Sequence, residues 1–153
     1  MSTLEQITYD AGRHALADQE GFVAGLRQRA GTLLAAHALV ASFLGGTVLQ
    51  DEGSSTFSWM ALTTLVIGLI VAAILLAPWR LRFAVDARDL YRELQGTPIG
   101  PDTDDYLAGA GFAYQTLHAD NMSRTHHMSS LLGTLAILMV TQTIFWLTAL
   151  VVG

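Results

Sequence analysis

The sequence predicts an all-α fold: an integral membrane helical bundle with three transmembrane helices and long cytoplasmic helical extensions. Three observations carry that expectation. Apolar runs at Ala30–Leu49, Phe57–Pro78 and Ser129–Val152 each reach the roughly twenty residues a helix needs to cross a hydrocarbon core about 30 Å thick. Hydrophobic residues make up 52% of the chain and charged residues 14%, against about a quarter charged in an average soluble domain. All eight basic residues are arginines, and they lie before the first run or between the second and third.

Composition also excludes several classes. With no cysteine, disulfides, zinc thiolate sites and thiol catalysis are ruled out together. A formal charge of −5 argues against a general nucleic-acid binder. The exclusive use of arginine over lysine fits a GC-rich bacterial source.

The first element opens at Ser2-Thr3-Leu4-Glu5, which has the S-x-x-E form of a capping box. Leu4, Ile7, Ala11, Ala15, Phe22 and Leu26 then recur near the helical period, and Glu5, Asp10, Arg13, Glu20 and Arg27 occupy the other side. No proline interrupts Met1–Leu49, so residues 1–29 are expected to form a cytoplasmic amphipathic helix continuous with the first span. A signal peptide would carry its apolar core nearer the N-terminus, so this span is expected to be retained.

Gln50–Thr56, QDEGSST, reads as a turn in which Ser54–Thr56 offer caps for the next helix. Residues 30–79 thereby form a transmembrane hairpin. Trp59 and Trp79 are separated by twenty positions, which places one at each membrane interface. Beyond Pro78, Phe83, Ala87, Leu90 and Leu94 make an apolar stripe, so a helix is expected there too. Gly96–Pro101 ends it. Asp102 or Thr103 then caps a helix that points Tyr106, Leu107, Ala110, Tyr114 and Leu117 inward. Residues 80–128 are thus read as a cytoplasmic helical pair and 129–153 as the third span. The positive-inside rule sets the N-terminus and residues 79–128 in the cytoplasm and the C-terminus outside, in a bacterial inner membrane.

The run Leu26-Arg27-Gln28-Arg29-Ala30-Gly31-Thr32-Leu33-Leu34-Ala35-Ala36, followed by Ala41-Ser42-Phe43-Leu44-Gly45-Gly46, resembles the first span of small bacterial membrane proteins of the SLATT type. The later Phe83-Ala84-Val85-Asp86-Ala87-Arg88-Asp89-Leu90-Tyr91-Arg92-Glu93-Leu94 is similar to the segment after their second span. What the resemblance implies is an oligomeric membrane channel or pore-forming effector of an anti-phage defence system, held closed until triggered; a homo-tetramer is the assembly expected here. Its trigger, acting from the cytoplasmic side, would be a partner protein or a nucleotide or oligonucleotide signal made by a partner nucleotidyltransferase. The third span departs from the simplest two-span form.

Three helices enclose no lumen, so a conduit requires several copies around an axis. Ala38, Ser42 and Gly46, with Gly31 and Ala35 nearby, let backbones approach closely, either within the hairpin or between copies. Thr134, Thr141 and Thr148 share one face, with Gln142 beside them. Their hydroxyls either line water or bond their own helix. His37 lies near the middle of the first span, where an ionisable group marks a gate or a hydrogen bond to a neighbouring helix. His37, Ser42, Thr134, Thr141, Gln142 and Thr148 are therefore the pore or gate residues.

Arg27, Arg29, Arg80, Arg82, Arg88, Arg92 and Arg124, with His126 and His127, are the ligand-binding set, because arginine pairs with phosphate in bidentate fashion. The alternative for them is topology and lipid headgroups alone. Enzyme chemistry finds no support, and no cofactor is expected. His118, Asp120, His126 and His127 lack a metal-binding spacing, and no phosphate loop or nucleophile elbow is present. The competing function is a non-conducting membrane anchor or scaffold that recruits a cytoplasmic partner.

Overall fold

The computed structural model describes residues 4–48, 55–84 and 103–152. Three helices make up nearly all of it: α1 (Leu4–Val48), α2 (Thr56–Leu76) and α3 (Thr103–Val152). At 1.5 Å per residue, the 45 residues of α1 and the 50 of α3 give rods of about 70 Å. No proline falls inside any of them. All three are long and apolar enough to cross a membrane. Among the described residues there is no strand.

Local chemistry sets the ends of α2. Ser55 is its N-cap, with φ −73° and ψ 158°, and the Ser58 N–H donates to Ser55 Oγ at 3.3 Å. The far end stops at Ala77, whose ψ of 152° is extended. Pro78 follows, and a proline disfavours helical geometry in the residue before it.

Two sequence expectations are corrected here. Residues 78–84 are not helical, and the Leu81 N–H closes a tight turn onto Trp79 O at 2.8 Å, so the helix expected beyond Pro78 does not begin there; Ala87, Leu90 and Leu94 lie outside the described residues. The buried face of α1 also differs from the stripe read at first. Leu4, Ile7 and Phe22 are 73%, 54% and 49% exposed. Leu26 of that stripe is buried, and with it Gly12, Leu16, Gln19, Val23 and Ala30, the six spaced alternately four and three. That is the heptad rhythm of helices wound along one another. A glycine and a glutamine among the seam residues hid it from a reading based on apolar side chains. In α3 the same rhythm places Asn121, Met128, Leu135, Gln142 and Ala149, all buried, seven residues apart.

The chain divides into two compact units, Met1–Ala24 with Trp79–His126, and Gly25–Pro78 with His127–Gly153. In the first, the early parts of α1 and α3 run side by side. Glycines face each other where they meet: a Cβ on Gly12 would lie 2.9 Å from Gly111 O, and one on Gly111 would lie 3.0 Å from the Thr8 backbone. Tyr9 and Tyr114 stack edge to face beside them, with centroids 5.7 Å apart. Further along, Gln19 Nε2 donates to His118 O at 3.3 Å.

In the second unit, parts of α1, α2 and α3 pack together. Val48, Ala61, Trp146 and Ala149 form its core cluster. The indole of Trp146 is fully buried against Gly45. On α2 the buried residues are small, Ser58, Ala61, Thr64, Gly68 and Ala72, apart from Leu75. Its large ones, Val66, Ile67, Leu69, Ile70 and Ile74, are exposed. This is the reverse of a water-soluble helix: backbones approach through small residues and the bulky apolar groups face outward. Between 17% and 28% of each apolar window is buried, so most of the unit's surface calls for lipid or another chain.

Candidate functional site

Two places concentrate polar chemistry, one inside the apolar unit and one on the unit that contains residues 79–126. The first is a set of polar side chains in the helical seams. His37 is 1% exposed and Gln142 0%. His37 Nδ1 lies 3.2 Å from Leu33 O of its own helix. A carbonyl can only accept, so this bond requires a hydrogen on Nδ1, which in the neutral ring leaves Nε2 as an acceptor. That Nε2 faces Gly68, where a Cβ would lie 3.1 Å away. Glycine at this position is what allows α2 to close over the imidazole.

His37 Nε2, both amide atoms of Gln142 and Trp146 Nε1 are buried with no hydrogen-bond partner among the described residues. A buried group left unmatched costs about 1–3 kcal/mol. Such residues persist in helical seams where they fix register or serve a function. His37 and Gln142 thus lie inside the three-helix packing and away from its outer surface.

The remaining pore or gate residues are distributed differently. Ser42 is exposed on α1, on the same face as Gly31, Ala35, Ala38 and Gly46. A Cβ on Gly31 or Gly46 would meet nothing within 4 Å. The small-residue row therefore faces away from its own hairpin. Thr134 is exposed, and Thr141 and Thr148 are half-buried. Thr134 donates to Ser130 O at 3.1 Å and Thr148 to Ile144 O at 2.8 Å, which satisfies both hydroxyls within their own helix.

The second place is built on residues 79–84. Exposure alternates along residues 80–83. Arg80 and Arg82 are exposed, while Leu81 and Phe83 are half-buried. Asn121 of α3, 3% exposed, holds this strap at both polar groups of one residue. Its Nδ2 donates to Arg82 O at 2.8 Å, and its Oδ1 accepts from Arg82 N at 3.4 Å. One turn on, Arg124 Nη1 donates to Arg80 O. Between strap and helix lies a cleft of about 300 Å³ lined by Arg80, Arg82, Leu117, Asp120, Asn121 and Arg124.

Of the nine ligand-set residues, the fold thus gathers Arg80, Arg82 and Arg124. Arg27 is half-buried, and Arg29 lies on a separate, mostly apolar groove with Thr32, Leu33, Ser129 and Gly133. His126 and His127 are exposed. Arg88 and Arg92 lie outside the described residues. Among the described residues no three His, Asp or Glu come together as a metal site.

Sequence reasoning missed Asn121, Gly12, Gly68 and Gly111. Asn121 had a signal: it falls in the same heptad position as Gln142, three repeats earlier. The alternation Arg80-Leu81-Arg82-Phe83 directly after a proline is likewise the period of an extended segment. No protein-family model, curated protein or solved structure matches the chain.

Proposed function

We propose that this protein is a homo-oligomeric membrane channel or pore-forming effector, gated from the side of the membrane that carries its arginines. The observation that carries the reading is the outward row Gly31, Ala35, Ala38, Ser42 and Gly46, exposed on a helix apolar enough to span. Close packing of small residues drives helix association in lipid, where apolar burial alone does not. A row left unused inside the protomer is available to a second copy. Several copies around an axis then enclose the conduit that one three-helix unit lacks.

In this arrangement Ser42 and the Thr134, Thr141 and Thr148 flank are the polar positions nearest a shared lumen. His37 and Gln142 fix the register of the spans behind it. The arginine distribution supports a cytoplasmic N-terminus and an outer C-terminus in a bacterial inner membrane. The resemblance to SLATT-type effectors supports anti-phage defence, with a nucleotide, oligonucleotide or partner protein as trigger.

Expression in a bacterial host tests this. The wild-type chain is expected to depolarise the inner membrane. Gly31→Leu and Gly46→Leu should abolish depolarisation while leaving protomer folding intact, since nothing lies within 4 Å of a Cβ at either site. A protein that is harmless in the presence of its defence partners, and insensitive to both substitutions, is a scaffold.

A further inference from the structure

We propose that the cleft between the 79–84 strap and α3 binds a phosphate group, held by the guanidiniums of Arg80, Arg82 and Arg124. The proposal deepens the gating reading and rests on it only for the consequence of binding. The binding itself stands on four features of the cleft.

The first is convergence. Arg124 reaches a strap 44 residues earlier in the chain, and Arg80 and Arg82, both exposed, line the same cleft with it. Three cations gathered in one cleft repel one another. Asp120 offsets one of them, leaving a lining of net +2 from three arginines and one carboxylate. A phosphate monoester, at about −1.5 to −2 near neutral pH, matches that balance.

The second is rigidity. Buried Asn121 bonds both the N–H and the C=O of Arg82, so the strap is fixed without using either strap guanidinium. The third is donor supply. Arg124 spends one N–H on Arg80 O, and a guanidinium has five, so planar donors remain for a tetrahedral anion. The fourth is size. About 300 Å³ lies at the lower end for small-molecule sites, room for a phosphate together with part of the group it esterifies.

Position along the chain allows two sources of that phosphate. Arg80 follows the last residue of α2, Leu76, by four positions, at most about 14 Å of extended chain. A lipid headgroup is therefore within reach, and a soluble phosphate ester arrives from the same side. Both offer the same chemistry to the three arginines.

The test uses the full chain in a phosphate-free detergent. Inorganic pyrophosphate, titrated by calorimetry, is the soluble arm. Retention of phosphatidylglycerol over phosphatidylcholine in native mass spectrometry is the lipid arm. Saturable binding in either arm is expected, and the arm that responds identifies the source. Arg82→Gln and Arg124→Gln should each weaken binding about tenfold or more, the loss of a charged hydrogen bond. Asp120→Asn should tighten it several-fold, and Arg13→Gln, on exposed α1 surface, should leave it unchanged.

Silence in both arms overturns the site, as does an Arg13→Gln loss equal to that of Arg82→Gln. All these residues are exposed, so the folded state can be verified in each variant by its melting profile. Conductance with no phosphate binding would defeat this site and spare the channel; binding without conductance would do the reverse.

Discussion

Gly12 and Gly111 show how much a single hydrogen atom in place of a side chain decides in this molecule. Replacing Gly12 by alanine sets a methyl group 2.9 Å from Gly111 O and 3.1 Å from Tyr114 Cβ. Neither is the free end of a flexible side chain, so α1 and α3 must separate. Overpacking of this kind costs about 1–3 kcal/mol. A drop in the melting temperature of the detergent-solubilised protein is expected for Gly12→Ala. Gly21→Ala, where a Cβ meets nothing within 4 Å, should instead gain about 0.5–1 kcal/mol of helix propensity. Equal melting temperatures for the two variants would contradict the close approach.

Beside that contact, burial raises the Tyr114 pKa above its usual 10.0, with the charge and hydrogen bond of Tyr9 acting in the same direction and Arg13 opposing them. The folded state then holds its proton at a pH where the unfolded chain has released it. Stability is complete below pH 10 and falls as pH rises past it, because the native state binds more protons. Tyr114→Phe should flatten the alkaline limb of a melting-temperature profile. An unchanged limb would show that Tyr114 is not the titrating group.

At the scale of the elements, much was legible in the residues and some was not. The long uninterrupted helices followed from the lack of proline, and the α2 start from its serines. The strap was misread because Phe83 fits a helical stripe by spacing, while Pro78 and the Arg-Leu-Arg-Phe alternation favour extension. The α1 seam was misread because polar and glycine residues occupy core positions, and no hydrophobic pattern reveals them.

Gln142 stood out as polar in the third span, but its burial behind the helical seam, away from any outer face, required the packing. Its two unpartnered amide atoms make a direct prediction. Gln142→Leu removes an unmatched buried amide and keeps similar volume, so it should raise thermal stability by about 1–3 kcal/mol. Function should suffer if Gln142 fixes the register of the spans. A destabilised Gln142→Leu protein would mean that the amide is satisfied in the assembled molecule.

For the whole molecule, the division of labour follows from where polar groups are placed. One unit shows lipid its bulky apolar residues and keeps His37 and Gln142 inside. The other holds three arginines around one cleft. A protomer with so little of its spans buried and an unused row of small residues is suited to assembly in a bilayer. In the function proposed above, the Arg80, Arg82 and Arg124 cleft is where such an assembly would sense an anion.

Ion flux through liposomes that contain the purified protein, with the oligomer verified by mass in the same preparation, tests the channel most directly. Dye or ion release in at least one ligand state, lost in Gly31→Leu and Gly46→Leu, is the expected result. A folded oligomer that stays silent in every state, or a 16.5 kDa chain that remains a lone protomer in the bilayer, would contradict it.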